Sequence, residues 1–140
     1  MAPDYPLLRL HLGIAYEQES RYEEAIAEFE RVFGLVAGEP IAAAPVAHAY
    51  AKAGRPQEAR KILQNLLLQA KIRHVDKYSI GLVYAALSED DLALDWLDRA
   101  AGERCLWFTF MAHGDPRLDG LRSDPRFESL LQRMMTTQTR

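Results

Sequence analysis

The chain has 140 residues, 49% of them hydrophobic, and a formal net charge of −3. A chain this long buries roughly two thirds of the surface its unfolded form exposes, so no disulfide framework is needed, and the single cysteine, Cys105, permits no intrachain bridge. Residues 1–39 carry −5, residues 40–75 carry +5 and residues 76–140 carry −3, and a basic third flanked by acidic ones, with no recognised module, excludes nucleic acid as an expected partner.

The N-terminus, MAPDYPLLRLHLGIAYEQE, lacks the basic start and apolar core of a signal peptide. No run approaches the roughly twenty apolar residues of a membrane span. A soluble, cytoplasmic domain is expected, with no membrane partner. In chain order, apolar spacing and punctuation predict helices over 5–19, 22–36, 40–53, 56–71, 76–88 and 90–103. The short polar segments EQESRYEE, AKAGRPQE and ALSEDDLA join them in pairs, as helix hairpins require. In the middle turn, Gly54 suits a helix C-cap and Pro56 the first turn of the next helix.

The helices repeat. Leu12-Gly13-Ile14-Ala15-Tyr16 recurs 34 residues on as Val46-Ala47-His48-Ala49-Tyr50, and again as Ile80-Gly81-Leu82-Val83-Tyr84. In the same register stand Ala25, Ala59 and Ala93, then Phe29, Leu63 and Leu97. Small residues on both helices of a pair permit close approach, and the tyrosine and the Phe or Leu fill the space beside it.

This pattern, apolar–Gly–x–x–Tyr followed by Ala-x-x-x-Phe at a period of 34, resembles the tetratricopeptide repeat. The resemblance covers residues 6 to about 107, with repeats at 6–39, 40–73 and 74–107. It departs where the family carries an early Trp, here Arg9, Ala43 and Lys77, and a late proline, here Ala37, Lys71 and Cys105. The third unit and the tail also resemble C-terminal segments of certain bacterial multidomain kinases and transcriptional regulators. The fold implied is all-α: a right-handed superhelix of three antiparallel helix hairpins forming one domain over 1–140, closed by a C-terminal cap at 104–136, with a frayed tail at 137–140.

No chemistry-bearing constellation emerges. His11, His48, His74 and His113 fall in different units, without metal-ligand spacing, and Cys105 and His113 stand eight apart, too far for a catalytic pair. The N-terminal glutamates read as a solvated face. The chain is therefore expected to be no enzyme and to carry no cofactor and no metal. What the resemblance implies instead is a concave groove lined by the first helices. Stepping by 34 along them places Leu7 with Ile41, Leu10 with Ala44 and Tyr78, Ile14 with His48 and Leu82, and Glu17 and Gln18 beside Lys52. Such a mostly apolar wall suits an apolar protein or peptide segment. A small apolar effector bound in a regulatory domain, a homodimer contact, or plain helix-to-helix core are the alternatives.

Toward the C-terminus, Leu106-Trp107-Phe108-Thr109-Phe110-Met111 reads as a helix covering the last repeat, or else as a partner hot spot. In DPRLDGLRSDPRF, each Asp-Pro is an N-cap followed by a first-turn proline. That stretch is expected to form a short helical turn and then a final helix of about three turns.

Overall fold

The computed structural model describes residues 5–35, 40–102 and 116–138. Every regular element among them is helical: α1 Pro6–Gln18, α2 Tyr22–Leu35, α3 Pro40–Lys52, α4 Pro56–Gln69, α5 Lys77–Ala86, α6 Asp90–Gly102, a 3₁₀-helix Pro116–Leu121 and α7 Pro125–Gln138. The six repeat helices end within two residues of the positions expected from sequence. Helices α1 and α2, α3 and α4, and α5 and α6 pack as hairpins, and α3 also packs against α2. The chain forms two compact units, Met1–Val75 and Asp76–Arg140.

Local chemistry sets the starts. Pro6, Pro40, Pro56 and Pro125 each occupy the first helical position, where a missing N–H costs nothing. Helix α5 instead starts from Asp76, whose carboxylate accepts from the Tyr78 N–H at 3.2 Å and the Ser79 hydroxyl at 2.9 Å.

Each hairpin turn closes the same way. The N–H groups of Arg21, Arg55 and Glu89 donate to the carbonyls of Tyr16, Tyr50 and Tyr84 at 2.8, 2.9 and 3.0 Å. The N–H groups of Ser20, Gly54 and Ser88 donate three residues back, which completes a Schellman motif. These three residues, themselves spaced by 34, hold φ of +62°, +81° and +61°. Glycine adopts that left-handed geometry freely, whereas the two serines adopt it at a cost. Arg21 and Arg55 then fold back over the rings of Tyr16 and Tyr50, at 4.7 and 5.4 Å from the centroids.

The small residues act as spacers. Ala25, Ala59 and Ala93 are fully buried. A Cβ built on Gly13 would lie 2.4 Å from the Phe29 ring, and one on Gly81 would lie 2.9 Å from the Leu97 side chain. In the first unit, Ala25, Ile26, Phe29, Val46 and Ala49 form one buried cluster, with Leu10, Ile14, Tyr16, Tyr50, Ala53 and Ile62 packed around it.

In the second unit, the 3₁₀-helix packs on α5 and α7 packs on α6, which buries Leu118, Leu121, Phe127 and Leu130. Asp124 accepts from the Arg126 N–H at 2.9 Å, the N-cap expected of the second Asp-Pro. Arg126 and Arg133 reach Asp91 and Asp98 on α6 at 2.8 and 2.7 Å. Helix α7 has 14 residues, nearer four turns than three, and it takes in the first two residues of the expected frayed tail. No proline or glycine follows Pro125 to stop it. Asp115, Cys105, His113 and the aromatic stretch 106–111 lie outside the described residues.

Candidate functional site

The first helices hold the expected groove residues, and the structure places them unequally. On α1, Leu10 and Ile14 are half-buried against the first unit's core cluster, and Gln18 is exposed. On α3, Ala44 and His48 are buried and Lys52 is exposed. The side chains of Leu7 and Ile41 lie outside those described. Tyr78 and Leu82, on α5 in the second unit, are buried.

The closest polar contact among these residues joins two repeats. His48 Nδ1 lies 2.6 Å from Glu17 Oε1, and the two side chains are only 3% and 7% exposed. A carboxylate only accepts, so the Nδ1–H donates and the contact ties α1 to α3. Through this bond the imidazole is oriented, and its Nε2 is buried without a hydrogen-bond partner among the described residues. An isolated buried carboxylate or imidazole would cost several kcal/mol, so each residue depends on the other. His11 and His74 are exposed, and among the described residues no group of three or more His, Cys, Asp or Glu could hold a metal. No helix among them is long and apolar enough to cross a membrane.

Two features were missed in sequence. The first is an apolar stripe on α1. Tyr5, Leu8 and Leu12 are exposed, Leu8 to 62% and Leu12 to 40%. At roughly 100° per residue they lie on the opposite flank of the helix from Ile14. Leu12 stands in the repeat register with Val46 and Ile80, but no helix precedes α1 among the described residues to cover it. The second is a cavity of about 420 Å³ between α2, α3 and α4, entirely within the first unit. Its edge carries a hydrogen bond of 2.5 Å from the Tyr50 hydroxyl to Glu30 Oε1. Hydrogen bonding to that carboxylate, with burial second, pushes the Tyr50 phenol up to about 12.

The family model for the tetratricopeptide repeat matches residues 16–71, from the last turn of α1 to just beyond α4. No curated protein and no solved structure matches the chain. The register of small residues, the repeated turn and the family match agree over residues 16–71, and that stretch is similar to the tetratricopeptide repeat.

Proposed function

We propose that this chain, like tetratricopeptide repeats generally, is a non-catalytic protein–protein interaction module, one that takes an apolar peptide or helical segment along its first-helix face. The supporting observation is the half-buried state of Leu10 and Ile14 on α1, which leaves apolar surface beside the exposed polar pair Gln18 and Lys52. An apolar strip with a polar margin suits an amphipathic segment. The buried Glu17–His48 bond keeps the two first helices in register beneath that strip.

The test uses substitutions on the exposed margin, which spare the fold. Gln18→Trp and Lys52→Glu should each weaken capture of a peptide selected from a display library by about tenfold or more. Selected peptides that bind both variants as well as the wild type would sink the proposal.

Self-association is the second reading, favoured by the Tyr5, Leu8 and Leu12 stripe, which lies on the flank of α1 away from Ile14. Leu8→Lys should then lower the weight-average mass in sedimentation, whereas a monomeric wild type would dispose of this reading.

A further inference from the structure

The cavity between α2, α3 and α4 belongs to neither reading. Its apolar lining comes from Ala43, Val46, the Tyr50 ring and Ile62. Stepping back by 34 shows why it is open. Ala43 corresponds to Arg9 and Ile62 to Glu28, and in the first repeat those two side chains meet in an ion pair at 2.9 Å. Where Arg9 fills the equivalent place, Ala43 offers only a methyl group, at a position that carries Trp in the repeats this chain resembles.

The cavity's charged lining residues come from two helices. Glu30 stands on α2 and accepts from the neutral Tyr50 hydroxyl, and among the described residues no cation offsets its charge. Lys61 stands on α4 and pairs with no acid among the described residues. Glu58, the third charged lining residue, has Arg55 within 3.8 Å. An apolar lining that also carries a carboxylate without a cation and an ammonium without an acid matches a flat apolar body bearing both an ammonium and a carboxylate. A volume of about 420 Å³ falls in the range of small-ligand sites.

We propose that this cavity binds a free aromatic amino acid, its ring against Ala43, Val46 and Ile62, its ammonium toward Glu30 and its carboxylate toward Lys61. The proposal stands apart from the peptide reading and does not depend on it.

The test is a titration of the full chain with L-tryptophan, followed by NMR at the Val46 and Ile62 methyl groups. Saturable shifts are expected, with a dissociation constant on the order of 1 mM or tighter. Tryptamine, indole-3-propionate and indole, which lack one or both charges, should bind at least about fivefold more weakly. Lys61→Glu and Glu30→Gln, both at the surface, should each weaken tryptophan by about tenfold. Ala43→Trp should abolish binding and raise the melting temperature, and Ala43→Leu replaces it if the larger side chain prevents folding. Absence of saturation by about 10 mM, or unchanged binding to Lys61→Glu, overturns the proposal. A single-charge analogue that binds as tightly as tryptophan overturns the assignment of a zwitterion.

Discussion

The first and second repeats share a register but not an environment. Leu12 on α1 is 40% exposed, while Val46, its counterpart on α3, is 5% exposed. Among the described residues, α3 packs extensively against both α2 and α4, whereas α1 packs extensively against α2 and meets α3 through the Glu17–His48 bond. Arg9 on α1 crosses to Glu28, while Ala43 on α3 leaves the facing space empty. A sequence period therefore specifies which residues can meet, and the number of neighbouring helices decides which do. Helix α1 is left with apolar surface and the second repeat with a cavity.

The largest test concerns the bond that joins these two repeats. Glu17→Ala should destabilise the protein by about 3 kcal/mol, since it leaves a buried imidazole unpaired. The double variant Glu17→Leu with His48→Leu should recover most of that loss, as judged by urea denaturation. A loss under about 1 kcal/mol for the single variant would mean that the contact is dispensable. Next is the spacer position. Gly13→Ala should cost about 2 kcal/mol, because the new methyl would overlap a Phe29 ring that is itself buried. Its counterpart Ala47→Gly should cost about 1 kcal/mol, from helix propensity alone. Equal losses at the two sites would show that the repeats pack alike after all.

A third test is the pH response of Tyr50. The folded phenol titrates at about 12 rather than 10, so the stability from this contact is complete below pH 10 and is lost as pH rises through 12. The stability difference between wild type and Tyr50→Phe should shrink over that window, and Glu30→Gln should bring the phenolate midpoint, read by ultraviolet absorbance, back toward 10. A wild-type midpoint at 10 would remove the hydrogen bond from the account. The smallest effect is at the turns. Ser20→Gly should stabilise by about 0.5–1 kcal/mol and Gly54→Ser should destabilise by a similar amount, measured as melting temperature.

Much of the fold was legible. Small residues at 13, 47 and 81 and at 25, 59 and 93 revealed the helix pairs, and the Asp-Pro pairs pointed to helix starts, of which Asp124 is seen to cap α7. The left-handed turn residues were legible only at Gly54, because serine carries no such signature at positions 20 and 88. The groove ladders placed residues in register but could not separate surface from interior. Ala44, His48, Tyr78 and Leu82 are buried, while Gln18 and Lys52 are exposed. The exposure of Leu12 reflects its place on α1, which among the described residues has no second helix packed on it as extensively as those around Val46, and residue identity does not encode that. Likewise, the cavity was visible only as a departure at Ala43, whose meaning depends on what surrounds it.

The repeated turn has a kinetic consequence. Each hairpin turn is closed by hydrogen bonds between backbone groups five residues apart or fewer. Contacts so local in sequence carry little loop-closure penalty and form on the microsecond-to-millisecond scale. Synthesis proceeds at only about 5–20 residues per second, so a hairpin has ample time to close before the next repeat follows it. The protein is built to acquire its repeats in the order in which they are made.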